Sequence, residues 1–450
     1  MYRTNNLREK PVKKLFFSYL IPAVFGMLLM SVNTMTDAIM VSRGIGDEAL
    51  AGVNIAFPAF SIFYAISLWI SMGGATLYSI ALGENKITHA RSIFSQSMII
   101  SVLMVCTLSA LALWQIENIA YLFGANPHIL PYTLDYLYIL FGFGFIYVLE
   151  NVLSTFIRND GNPNLAMIGL VVTALLNILL NYLFIFIFHW GVPGSAWATI
   201  ISAGIGFCVL LSHFFKKKRV LNWASWKLEW PQIKQIMLIG FPSFTAEITV
   251  AISTVCFNIA FMQIVGEMGV TAFAIVNSFH SITFLLFFGI GAALQPIVSF
   301  HHGANLTERL QECLQLAIRT AIILGGIAII LIIFCGKYIV TIFDIQSPEL
   351  LQTTVTGMSL FFLQYVFLGY NIVYGEYFQS ISQTKKSFWI IISRGLLFVL
   401  PLLWIMSTLW GIHGIWLSMP LAELLTAMLI FITTHFQFTC QKTVSFQDKE

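Results

Sequence analysis

Apolar runs of about 20 residues recur along the whole chain, separated by short polar breaks, and a run of that length is what a helix needs to cross a bilayer. The pattern predicts spans near 15–40, 51–81, 92–113, 131–157, 164–188, 193–215, 233–263, 270–300, 311–334, 351–380, 387–410 and 413–436. The expected fold class is therefore all-α: a polytopic membrane protein with 12 transmembrane helices. The longest polar stretch is Phe215 to Lys234, so no soluble domain is expected beside the spans.

The second half of the pattern repeats the first. Pro22 recurs as Pro242, Gly83 and Asn85 as Gly303 and Asn305, Phe123 as Phe343, and Gly191 and Gly194 as Gly411 and Gly414. These pairs fall at matching places: an early helix, the loops after the second and third helices, and the turn before the sixth. Each half has an even number of spans, so the second enters from the same side and the repeats are parallel, related by an axis along the membrane normal. The division this predicts is an N-lobe over 1–215 (helices 1–6), a cytosolic linker over 216–232 and a C-lobe over 233–450 (helices 7–12). Duplicated six-helix halves in a membrane read first as a secondary transporter with its site near the midplane.

Composition strengthens that picture. Apolar residues make up 58% of the chain and charged residues 10%, against roughly a quarter charged in soluble domains. The net charge of +3 says little, but its distribution says more. With the N-terminus inside, 21 of the 23 Lys and Arg residues fall on inner loops, and only Arg43 and Lys337 fall outside. The positive-inside rule then puts both termini in the cytosol of a cell whose inner (plasma) membrane holds the protein. The cluster from Lys216 to Arg219 reads as a topology anchor beside anionic lipid, and a nucleic-acid role has no other support. Met1 to Lys14 followed by an apolar run resembles the start of a signal peptide. The run is too long and lacks a small-residue cleavage site, so it is expected to be the first span. The six cysteines are scattered without paired spacing, which suggests neither disulfides nor a metal.

Ionisable groups inside a bilayer are costly, so each needs a reason. Asp37, Glu150, Glu247, Glu376 and Glu423 lie inside the predicted spans, together with His280. Arg394 counts among the inner basic residues, toward the inner end of the 387–410 span, and no Lys or Arg is expected near the centre of any span. Low dielectric penalises the charged form of a carboxylate, so such a group can take up and release a proton, and an acidic interior favours a cationic substrate. Asp37 has polar company: Asn33 and Thr34 before it, Asn177 and Asn181 four apart on helix 5, and Thr199 and Ser202 on helix 6. These can form a hydrated pocket for a proton or small cation; the plainer alternative is a hydrogen-bonded residue near the outer interface. Glu150, Glu247, Glu423 and His280 are the candidate substrate-binding groups, each with a structural hydrogen-bond role as its alternative. Glu376 reads as a structural residue nearer the cytosolic end of helix 10. Pro22 and Pro242 can hinge helices 1 and 7. No G-x-S-x-G, H-E-x-x-H or phosphate-loop motif is present, so no enzyme and no cofactor are expected, and the driving energy is expected from an ion gradient.

Three segments carry a family resemblance: Asp37-Ala-Ile-Met-Val with Gly46-Asp-Glu-Ala-Leu-Ala-Gly-Val-Asn54; Gln295-Pro-Ile-Val298 leading to His302-Gly-Ala-Asn305; and Gly191-Val-Pro-Gly194 running to Thr199 and Ser202. In this order the chain resembles a multidrug and toxic compound extrusion (MATE) transporter, over nearly its whole length, and within that family the prokaryotic branch. The resemblance implies two lobes in a V, opened alternately to either side, and antiport of a drug against protons or sodium. It places Asp37 at the family's coupling aspartate and matches Asn177 and Thr199 to its partners. Asn181 stands where several members carry an aspartate, which favours H+ over Na+ as the coupling ion. The expected function is efflux of cationic amphipathic drugs or dyes in exchange for protons, by a monomer in the lipid bilayer. The alternatives are a lipid-linked oligosaccharide flippase and a sodium-coupled exporter of the same superfamily.

Overall fold

The computed structural model describes residues 5–447 apart from 217–218, 225–226 and 342–346. Phe343, Lys217 and Lys218 of the sequence reading therefore lie outside the described residues. Every described element is helical. In chain order the long helices are α1 (Val12–Gly44), α2 (Asp47–Gly83), α3 (Ile87–Trp114), α4 (Leu130–Phe143 and Phe145–Asn159), α5 (Pro163–Asn181) and α6 (Val192–Leu211). They continue as α7 (Trp230–Ile264), α8 (Glu267–Gly303), α9 (Thr307–Thr341), α10 (Pro348–Phe361 and Tyr365–Ser380), α11 (Thr384–Ile392) and α12 (Val399–Gln447). Local sequence explains several starts. Asp47 and Glu48 sit in the first turn of α2, where carboxylates suit the helix dipole. Pro163 opens α5 and Pro193 lies in the first turn of α6, where a missing N–H loses nothing.

Ten described helices are long and apolar enough to cross a membrane, or eleven when the two parts of α4, bent by 51°, count as one span. The last of these runs 51 residues from Thr384 to Thr434 and is broken by non-helical backbone at Gly411. At 1.5 Å per residue such a helix would be about 77 Å long, more than twice a bilayer's hydrocarbon thickness. Gly411 has φ 55° and ψ −130°, and its repeat partner Gly191 has φ 66° and ψ −145°. Both lie in a region that only glycine enters freely, which is why the same residue recurs at the same turn.

The chain divides into two compact units that do not follow the repeats. Unit 1 comprises Met1–Phe244, Ala292–Cys313 and Gln379–Ser382; unit 2 comprises Thr245–Gly291, Leu314–Phe378 and Gln383–Glu450. Unit 1 thus takes in one end of α7, of α8 and of α10. Backbone contact explains this: a Cβ on Gly83 would meet the Phe300 carbonyl, and one on Gly303 would meet the Ile80 carbonyl. The linker is stitched to the same unit by Asp160. Its buried carboxylate accepts hydrogen bonds from Tyr78 Oη (2.8 Å), from Val220 N (3.2 Å) and from Leu221 N (3.1 Å), and meets His213 Nε2 at 2.7 Å. Unit 2 packs around Trp416, fully buried, with its ring 4.5 Å from Phe261 and Gly357 lying flat against it.

Candidate functional site

The helix trio α1, α5 and α6 of unit 1 builds a polar constellation in the unit's apolar interior; α5 packs against both of the others. Asn177 and Asn181 lie one turn apart on α5 and are buried. Asn181 Nδ2 donates to Asp37 Oδ1 at 2.6 Å and to Asn177 Oδ1 at 3.1 Å. Asn177 Nδ2 donates to Thr199 Oγ1 at 3.2 Å, and Ser195 Oγ donates to Asp37 Oδ1 at 3.4 Å. The structure therefore brings together Asp37, Asn177, Asn181 and Thr199, the four residues singled out for ion coupling. It adds two that the sequence reading passed over. Ser195 sits one turn before Thr199 on the same face, a spacing that could have revealed it. Tyr136 of α4 is hydrogen-bonded to Thr199, and only the fold could show that.

Asp37 is half-buried, on a stretch of α1 whose neighbours Met35 and Ile39 are exposed. Two buried oxygens nearby, Asn33 Oδ1 and Asn181 Oδ1, have no hydrogen-bond partner among the described residues. Buried acceptors are rarely left unmet, and orphans beside a carboxylate suit a proton or a small cation. Directly after Asn181 the helix widens into a π-helical turn over Tyr182–Ile187, a feature frequent at functional sites.

The other candidates divide between the units. Glu150 of α4, in unit 1, is buried beneath Thr173 of α5, whose hydroxyl donates to Glu150 Oε1. Glu247 of α7, in unit 2, is half-buried and has no hydrogen-bond or ion-pair partner among the described residues. His280 of α8 is half-buried, with Nδ1 2.8 Å from Tyr365 Oη, which in turn donates to the His280 carbonyl at 3.1 Å. Glu376 packs across Gly291.

Unit 2 corrects the expectation that no basic residue lies deep in a span. Arg394 stands ten residues into the Thr384–Thr434 helix, in a π-helical turn over Ser393–Leu397, so it lies about 15 Å from that helix's start. Its Nε and Nη2 donate to Glu423 Oε1 at 3.0 and 2.8 Å. Asn371 Nδ2 donates to the other oxygen, Oε2, at 2.6 Å and to the Glu423 carbonyl at 2.8 Å. Glu423 is completely buried, and Arg394 keeps 15% of its side-chain surface exposed. Arg394 lies in the first third of the predicted 387–410 span, and periodicity alone does not register a charge whose partner is 29 residues away. In this conformation Glu150 and Glu423 are buried, whereas Glu247 and His280 are half-buried.

A MatE family model matches residues 22–183 and again residues 242–405, one match to each half. The chain belongs to the MATE family of transporters. Among its relatives, the multidrug export protein MepA of Staphylococcus saprophyticus is 23% identical over 446 residues, covering 96% of both chains. The probable multidrug resistance protein YoeA of Bacillus subtilis is 24% identical over 445 residues, covering 94% of this MATE chain and 93% of its own. Two solved structures share the fold at a TM-score of 0.91 and 22% identity. One is the outward-facing conformation of a multidrug resistance MATE family transporter of the MOP superfamily, covering 97% of this chain and 98% of that one. The other is MATE in the bent conformation, covering 99% of both.

Proposed function

We propose that this MATE family member is a secondary active multidrug exporter that releases protons inward as cationic amphipathic compounds leave the cell. Multidrug export is what the name of MepA states for that relative, and probable multidrug resistance is what the name of YoeA states. The observation that carries proton coupling is the Asp37 cluster: one carboxylate, two amides and two hydroxyls, with buried oxygens left over and no cationic side chain bonded to it among the described residues. A proton on Asp37 supplies a donor that the unmet Asn181 Oδ1 can accept after the amide turns. Glu247 of unit 2 supplies an unneutralised carboxylate suited to a substrate's positive charge. The protein is read as a plasma-membrane monomer with twelve passes and cytosolic termini, which the break at Gly411 and the one-sided Lys and Arg support.

Sodium is the second reading, because the orphaned oxygens also suit a hard cation. Asn181 leaves that site with one carboxylate, which favours the proton. A flippase for an anionic headgroup needs a free cation, and Arg394 is held by Glu423.

The test is proton release from purified protein on addition of ethidium, with wild type beside Asp37→Asn. Release that vanishes in the variant supports exchange through α1. Dye binding without release, or release that survives the substitution, removes Asp37 from the role.

A further inference from the structure

We propose that Glu150 is a second proton-binding site of unit 1, joined to Asp37 by the polar seam between α5 and α6. The inference rests on the proton-coupled reading above and extends it inward from Asp37.

The seam is continuous. Thr173, Asn177 and Asn181 follow each other at four-residue intervals on one face of α5, each step rising about 6 Å. On α6 they meet Ser202, Thr199 and Ser195. Thr173 Oγ1 reaches Glu150 Oε1 and, at 3.4 Å, the Ser202 carbonyl. Ser202 Oγ donates to the Thr199 carbonyl at 3.0 Å, and Thr199 Oγ1 takes up the contact to Asn177 that leads through Asn181 to Asp37.

The donor count at Glu150 suits two protonation states. Thr173 has one hydroxyl hydrogen and two buried acceptors within reach. With Glu150 ionised, that hydrogen goes to the carboxylate. With a proton on Glu150, its O–H donates to Thr173, and the threonine hydrogen turns to the Ser202 carbonyl. One hydroxyl rotation thus accommodates gain or loss of a proton, and no covalent bond but the O–H changes. The site is shaped for this acid: a Cβ on Gly206 of α6 would collide with both Thr173 Oγ1 and Glu150 Oε1.

No ion pair reaches it among the described residues. Of the helices packed on α4, α5 carries no ionisable side chain and α6 only Cys208. Tyr78 of α2 is bonded to Asp160, Arg91 of α3 to the Val220 carbonyl, and Tyr136 within α4 to Thr199. No acid or base of these helices is bonded to Glu150 among the described contacts. The second repeat shows the contrast. When the turn residues Gly161 and Ser382, both with positive φ, are aligned, Glu150 falls on Asn371 and Thr173 on Arg394. There the acid is Glu423, locked to a guanidinium that does not deprotonate. The repeats have thus kept a buried polar crossing, but only unit 1 leaves its acid free to exchange a proton.

Infrared difference spectroscopy of the purified full chain between acid and alkaline buffer reads protonated carboxyl groups directly. Among the carboxyl bands of wild type, Asp37→Asn should remove one and Glu150→Gln should remove a different one. Thr173→Val should shift the Glu150 band while leaving the Asp37 band in place, a result that mere loss of folding does not give. A band that Glu150→Gln leaves untouched, or a Glu150 band that does not respond to pH, overturns the proposal. Neither outcome bears on whether Asp37→Asn abolishes dye-driven proton release, so the two readings fail separately.

Discussion

Removing one member of the Arg394–Glu423 pair is expected to destabilise unit 2 severely and asymmetrically. Glu423 has no exposed surface and accepts two hydrogen bonds from Arg394 and one from Asn371 through its carboxylate. Breaking a buried ion pair by deleting one partner costs about 3–5 kcal/mol. A charge at the centre of a spanning helix costs about 2.5–3.5 kcal/mol on insertion scales, so two independent estimates meet near 3 kcal/mol. The two single variants differ because only glutamate can neutralise itself. Glu423→Leu strands a guanidinium that keeps its charge at every accessible pH. Arg394→Met strands a carboxylate that can take a proton, so its penalty should be smaller and should shrink as pH falls. The double variant exchanges the pair for apolar side chains and should recover most of the loss. The assay is the unfolding rate in detergent micelles on mild heating, where 3 kcal/mol confined to the folded state corresponds to about a hundredfold acceleration. If Glu423→Leu unfolds within about fivefold of wild type, or if the double variant is worse than both singles, the pair is not a buried neutralised unit.

Asp160→Asn should loosen the linker, because a charge-assisted hydrogen bond is worth about 1.5–3 kcal/mol and this carboxylate makes several; tryptic cleavage at Arg219 should accelerate, and unchanged cleavage would refute the anchor. Gly303→Ala drives a methyl into the Ile80 carbonyl and should cost about 1–3 kcal/mol, read as a lower Tm in detergent. Asn181→Asp places a second carboxylate against Asp37, where two like charges cannot both ionise without a cation; export driven by a sodium gradient should appear, and its absence would count against the neutral amide as the discriminator of ions.

Hydrophobic spacing alone determined that this chain is an all-helical membrane protein, and the recurrence of Gly191 as Gly411 and of Asn85 as Asn305 marked its duplication, since these residues occupy the same positive-φ turns. Those features are local: an apolar run or a left-handed turn is a property of a few neighbouring residues. Asp37, Asn177, Asn181 and Thr199 were legible for a related reason, because a polar side chain within an apolar run is conspicuous wherever its partners lie. The pairing itself was not legible. Arg394 finds Glu423 across 29 residues, and Asp160 draws in Tyr78 and Val220 across 82 and 60. Only tertiary packing sets those distances. The same packing separated five similar intramembrane carboxylates into different roles: Glu423 neutralised by a guanidinium, Glu150 enclosed under one hydroxyl, Asp37 held by amides, Glu376 laid across a glycine and Glu247 left unpartnered among the described residues. Burial and partner chemistry decide what a carboxylate does in a membrane, and both are properties of the fold, not of position along the chain.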